Sequence, residues 1–286
     1  MALSAKAKRF AVRLCTLLAC LLVWTSPVFA DSHYILGVVP QYDVRTIHSI
    51  WDPIIERVAR EADIKIELVE SPSISAFFTS CMNGEYDFAY MNPYQFLTSS
   101  DLQGYVPLVK DAGRKLQGII VVRKDSRFES IKDLDGAMLA FPDPSALGAT
   151  LLNKASLREV GGLRFYSRYV RTHGSVYLNV ALGLTDAGGG VQRTLDAQKP
   201  ELRDALRIVF RSRPVYPHPL AVHPRVSKGV ALTFQKAMLD MAKTPEGQAL
   251  LEKIPFKKIG AAVPEDYEEL RDMGLDKLDI GPKVTR

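Results

Sequence analysis

The chain has little cysteine, no long apolar run beyond its first 30 residues, and no surplus of either charge once those residues are set aside. Cys15 and Cys20 both lie in the leading stretch, which leaves Cys81 alone among the other 256 residues. An internal disulfide is thereby excluded, and that length must support its own core, which it can. No pair among the five histidines combines metal-ligand spacing with a supporting carboxylate, so no metal site is expected, and no cofactor either. Gly188-Gly189-Gly190 lacks the G-x-G-x-x-G spacing of a dinucleotide loop. No low-complexity segment or fixed-period repeat occurs.

Residues 1–30 read as a signal peptide. Lys6, Lys8, Arg9 and Arg13 precede an apolar stretch, Leu14 to Trp24, that is too short to span a bilayer. Val28-Phe29-Ala30 has the small-residue pattern of a cleavage site, so cleavage is expected after Ala30, with the mature protein in the periplasm. Leu17-Leu18-Ala19-Cys20 resembles a lipobox only loosely, with too few apolar residues after Arg13. Of 37 Lys+Arg against 32 Asp+Glu, four cations and no anions sit in this segment, leaving 33 against 32. A balance this even gives no reason to expect nucleic acid or an anionic membrane as partner.

What is present is an alternation of strand and helix. Tyr34 to Val39, Lys65 to Val69, Asp87 to Met91 and Tyr105 to Val109 read as strands. Between them, Ile47 to Ala62 shows helical periodicity, with Pro53 either kinking the helix or marking its start at Asp52. Ser73 to Asn83 and Tyr94 to Ser99 are the next helices. Gly118 to Arg123 follows Val109 with no room for a helix, which suggests a crossing into a second lobe. There the pattern resumes, with strands at 137–141, 167–171, 186–189 and 207–210 and helices at 146–160, 175–184 and around 192–206. Ser212 to Pro219 is proline-rich, and Leu220 to Val222 reads as the return crossing. Helices at 226–242, 245–253 and 264–273 complete the chain, the last acidic and surface-exposed. The expected architecture is α/β, two lobes with two hinge crossings: 31–120 with 220–286 as the first lobe and 121–219 as the second.

In open α/β sheets, ligands lie beyond the carboxyl ends of the strands. Five such ends carry polar, aromatic or glycine residues: Pro40-Gln41-Tyr42, Met91-Asn92-Pro93-Tyr94, Asp143 to Gly148, Thr172-His173-Gly174-Ser175, and Gly188 to Gly190. The loop after 137–141 is the most informative. Pro142 and Pro144 stop the strand, Ser145 stands where an N-cap would, and a helix-forming run starts at Ala146. A helix start aimed over a sheet edge offers free N–H groups to an anion, although an ordinary strand-to-helix connection has the same pattern. Trp51, Phe77 and Phe78 fall on apolar faces and read as core, as does Cys81, an inert buried thiol. His48, His218 and His223 read as structural or surface residues.

The blocks VPQYDVRTIHSIWDPI, GEYDFAYMNPYQF, IVVRKDS, LDGAMLAFPDPSALG, THGSV and TDAGGG, in that order, resemble the phosphate/phosphite/phosphonate-binding proteins of ABC importers over roughly residues 35 to 270. The resemblance implies a type II periplasmic-binding-protein fold whose lobes close on a small anion. It implies ligand contacts from Tyr42, Tyr90, Asn92, Ser145, the backbone of Ala146, Leu147 and Gly148, His173 and Ser175, with Asp186 at the ligand's far end. In that family the 143–148 loop carries consecutive Ser/Thr hydroxyls; this chain has Ala146-Leu147 there, and Met91 where a tyrosine can occur. The function this implies is substrate binding, by a monomer, for an ABC permease in the inner membrane. A ligand-sensing subunit for a membrane histidine kinase would use the same residues. An enzyme on this scaffold would need an acid–base pair or nucleophile, and only His173 is on offer.

Overall fold

The computed structural model describes residues 33–160, 163–254, 256–275 and 278; the expected signal peptide lies outside them. Among the described residues no helix is long and apolar enough to cross a membrane. The strands are β1 (His33–Val38), β2 (Lys65–Val69), β3 (Phe88–Tyr90), β4 (Val106–Asp111), β5 (Gly118–Arg123), β6 (Met138–Phe141), β7 (Tyr166–Tyr169), β8 (Ala187–Val191), β9 (Leu206–Arg211), β10 (Leu220–Val222) and β11 (Ile259–Ala261). The α-helices are α1 (Val44–Ala62), α2 (Ile74–Met82), α3 (Pro93–Gln103), α4 (Leu152–Glu159), α5 (His173–Ala181), α6 (Gln192–Asp196), α7 (Pro200–Asp204), α8 (Lys228–Asp240) and α9 (Pro245–Leu251).

Two mixed sheets form. The first has the order β11-β4-β10-β3-β1-β2, with β1 parallel to β2 and β3, and β10 antiparallel to both β3 and β4. The second has the order β7-β6-β8-β5-β9, with β6 parallel to β7 and β8, and β5 antiparallel to β8 and β9.

Helix starts follow local chemistry. Asp43 caps α1 by accepting from the Thr46 N–H, Ser73 caps α2, and Asn92 with Gln95 forms a reciprocal capping box on α3. Helix α1 begins well before Asp52 and runs through Pro53 in one piece; the proline withholds one intrahelical N–H without ending the helix.

The first expected crossing moves, and the second, expected over 212–222, narrows. Gly118–Arg123 is not a hinge but a strand hydrogen-bonded on both sides, with its first five residues buried. Leu220–Val222 is likewise an interior strand of the first sheet. The chain instead passes between the sheets at 112–117 and 212–219. These segments run side by side, joined by an isolated antiparallel bridge between Leu116 and Val215. Ser212 ties them further, its hydroxyl accepting from the Gly118 N–H (2.8 Å) and its carbonyl from Gln117 Nε2 (2.7 Å). The 264–273 segment is a 3₁₀ helix that buries Tyr267 and Leu270 rather than lying free on the surface.

Core packing crosses from one sheet to the other. Ala146, Leu147, Ala149, Leu151 and Leu152 belong to the same buried cluster as Leu36, Trp51, Phe77 and Tyr90. The second sheet has its own smaller clusters on its two faces, around Ile120 and Phe141 and around Val121 and Tyr177. Strand β8 can lie under the 147–151 turn because it is glycine-rich: a Cβ on Gly189 would strike the Ala149 carbonyl oxygen.

Candidate functional site

The loop after β6 is organised by a carboxylate. Asp143, 8% exposed, accepts from the Ser145 N–H (2.9 Å) and hydroxyl (2.8 Å), and its carbonyl accepts from Thr150 Oγ1 (2.7 Å). Across the cleft it also accepts from the Ser75 hydroxyl (2.9 Å) and N–H (3.2 Å) at the start of α2. Asn92 makes a second bond between the sheets, donating from Nδ2 to the Ser145 carbonyl (3.0 Å). The two halves are thus held together by side chains at helix starts.

The expected N-cap is therefore corrected. Ser145 spends its hydroxyl on Asp143, and Ala146 occupies the cap position ahead of a wider, π-helical turn at Leu147–Leu151 that runs into α4. Ala146 donates its N–H to the Asp143 carbonyl (3.2 Å). The N–H groups of Leu147, Gly148 and Ala149 precede the first i→i−5 bond, which Leu151 makes to Ala146, so helical geometry gives them no acceptor. The Ala146 and Leu147 side chains pack into the shared core.

These three residues line a cavity of about 10 Å³, together with Asn92, Gln41, His173 and His218. His173 lies not at a strand end but on the first turn of α5, capped by Thr172. It is 3% exposed; its Nδ1 meets Thr194 Oγ1 at 3.1 Å, and its Nε2 has no partner. Burial, reinforced by the Arg193 guanidinium, pushes its pKa down to about 4, so the ring is neutral near pH 7. Thr194 Oγ1 has one proton to give: donated to Nδ1 it places the ring proton on Nε2, and donated to the Val191 carbonyl (3.0 Å) it places the ring proton on Nδ1.

A second cavity of about 320 Å³ shares Gln41, Leu116, Val191 and His218 with the first. Its cations are Arg114, Lys115, Arg193 and Arg211, and its one carboxylate is Asp196, which accepts from Gln192 Nε2 (2.7 Å). Among the described residues only Arg114 of these four cations has a carboxylate partner, Asp111 at 3.2 Å. Lys115 lies over the Tyr216 ring, Arg193 over the Tyr42 ring, and Arg211 donates to Gln192 Oε1 (2.7 Å).

Of the residues expected at the site, Asn92, Ala146, Leu147, Gly148 and His173 come together around the small cavity. Tyr42 and Tyr90 lie beside it, lining a 20 Å³ void with Trp51 and Arg193. Ser175 does not join them: its N–H and hydroxyl both bond Thr172 in the helix cap. Asp186 is at the opposite, amino end of β8, accepting from the Met138 N–H (2.8 Å). Sequence reasoning missed Gln41 as a bridging side chain, Arg193 and His218. Arg193 lies two residues past Val191, the true end of β8, so the strand-end rule points to it once that end is placed correctly. His218, read as structural, is 5% exposed, stacks on Tyr90 at 5.4 Å and meets Gln41 Nε2 at 3.2 Å. Burial, then the charge of Arg193, push its pKa to about 3.

The family of ABC-transporter periplasmic phosphonate substrate-binding proteins matches residues 36–267. The chain belongs to that family. It is a substrate-binding component of an ABC transporter rather than an enzyme, and proteins of this family work with membrane permease components. The fold agrees with solved structures. A binding-protein component of an ABC phosphonate transporter from Pseudomonas aeruginosa shares 15% identity at a TM-score of 0.75, over 86% of this chain and 87% of that one. A Prochlorococcus marinus protein in complex with methylphosphonate shares 13% at 0.77, over 86% and 98%. A Xanthomonas citri protein bound to ATP shares 21% at 0.69, again over 86% and 98%. At these identities the likeness establishes the type II two-lobed fold of this phosphonate-binding family member.

Proposed function

We propose that the chain captures a phosphonate- or phosphate-like anion between its two sheets and delivers it to an ABC permease. The observation that carries this is His173 Nε2, buried and unpartnered, on a residue that lines the small cavity together with Leu147, Gly148 and Ala149. A buried polar atom without a partner is costly unless something bonds it, and neutral imidazole with backbone N–H groups suits an oxyanion. Hydroxyls are absent at positions 146 and 147, so the backbone supplies the donors, joined by His173 in the tautomer that carries its proton on Nε2. Because the cavity is so small, entry requires the sheets to part by hinge motion about 112–117 and 212–219, loosening the Asp143–Ser75 and Asn92–Ser145 bonds. The sequence supports export with cleavage after Ala30, and a monomer suffices for this function.

Calorimetry with methylphosphonate and inorganic phosphate tests the reading. Wild type should bind at least one of them, and His173→Ala should weaken that binding by roughly 10–100-fold, the range for a hydrogen bond to a charged group. If neither anion binds wild type, or His173→Ala binds as tightly, the anion does not sit there.

A further inference from the structure

Resting on that reading, we infer that the ligand carries a second anionic group, seated in the 320 Å³ cavity by Arg193, Lys115 and Arg211. The substrate class is then an organic phosphonate or phosphate ester with a carboxylate or phosphate at its other end, and not one with an aminoalkyl tail. Gln41, Leu116, Val191 and His218 line both cavities, so the two adjoin, and a molecule reaching past these side chains would occupy both. The smaller, at about 10 Å³, has no room for an organic tail, whereas the larger, at about 320 Å³, has.

The charge of the larger cavity selects that remainder. Lys115, Arg193 and Arg211 have no carboxylate partner among the described residues; they are held over or against neutral groups, the Tyr216 and Tyr42 rings and the Gln192 amide. Guanidinium groups fixed in this way are preset to grip a carboxylate or phosphate through paired N–H groups. A cationic tail, by contrast, finds only Asp196, already bonded by Gln192, and faces three unpaired cations. Asp186, the acid expected to hold an amine, lies at the far end of β8 against Met138. Arg193 also depresses the basicity of both buried histidines, which ties the cationic cavity electrostatically to the head-group end.

The test is calorimetry at fixed pH and ionic strength with methylphosphonate, 2-aminoethylphosphonate and 3-phosphonopropionate, on wild type and Arg211→Gln. Wild type should bind 3-phosphonopropionate about tenfold or more tighter than methylphosphonate, as one charge-assisted contact gives, and 2-aminoethylphosphonate more weakly than either. Arg211→Gln should shrink the first ratio, and thermal unfolding of the variant confirms that it is folded. Methylphosphonate binding with no preference for the dianionic probe, or a preference that survives Arg211→Gln, overturns the second seat while leaving the head-group site standing. Failure of all three ligands to bind overturns the head-group reading, and this inference with it.

Discussion

The two cavities differ in every respect that governs anion binding, although they share a wall. The smaller is lined by the 146–149 turn, the amides of Gln41 and Asn92, apolar side chains and two neutral histidines, His173 and His218, with bonds between the sheets at Asp143 and Asn92. The larger is lined by cations, Arg114, Lys115 and Arg211 exposed and Arg193 half-buried. The first can discriminate by shape and hydrogen bonding, since its donors are fixed by secondary structure. The second attracts charge at a distance and tolerates different skeletons. A transporter component built in this way would select the head group strictly and the remainder by charge alone.

The contrast breaks most severely at Gly189. Gly189→Val would force the 147–151 turn away from β8, because the obstructing atom is the backbone oxygen of Ala149 and cannot rotate aside. A loss of about 3 kcal/mol of stability is expected in chemical denaturation, the upper part of the range for overpacking. An unchanged midpoint would mean that the turn is not seated on β8 as described.

Acid should separate the two regions next. His173 and His218 bind protons more weakly folded, at about 4 and about 3, than at their ordinary 6.5. The unfolded chain therefore takes up more protons below about pH 6.5, and stability falls as pH falls. At pH 5 the loss should be about 2 kcal/mol for each ring relative to neutral pH. His173→Gln should flatten the pH dependence between 6.5 and 5; an equally steep curve would show that the ring is not buried neutral. The half-buried His48, flanked by Glu70 and Asp52, is pushed the other way, so what it contributes is lost as pH rises.

The smallest effect is at the latch. Asp143→Asn keeps the shape of the side chain but turns an NH₂ against donors from Ser75 and Ser145. It should destabilise by about 1 kcal/mol and shift the unliganded protein towards a more expanded form in small-angle scattering. An unaltered scattering profile would mean that these bonds do not hold the sheets together.

Much of this was legible in the sequence, and what was not has physical causes. Periodicity located the bodies of α1 and α2 because that signal is local; their starts, and that of α3, are set by Asp43, Ser73 and Asn92, which act on N–H groups three residues away and were not read as caps. Strand partners are not local. Gly118 to Arg123 reads correctly as a strand, yet nothing in it says that β8 and β9 flank it, so the crossing was placed inside it rather than before it. Three-residue β10 is too short to show a period, and its central place depends on β3 and β4. At the site, the position of His173 was readable from the motif around it, but its unpartnered Nε2 follows from packing against α6. Ser145 was misjudged because the Asp143 carboxylate two residues before it claims the hydroxyl. Asp186 looked like a ligand-binding acid because its block matched, whereas the direction of β8 carries it away from the cleft. Arg193 escaped notice by the distance between Gly189, the assumed strand end, and Val191, the actual one.

The most direct test of the two-seat account is a crystal structure of the protein with 3-phosphonopropionate. The account places the phosphonate oxygens within hydrogen-bond reach of His173 Nε2 and the Leu147–Ala149 N–H groups, with the carboxylate against Arg193 or Arg211. A ligand lying wholly among the arginines, with His173 Nε2 still unpartnered, would contradict it.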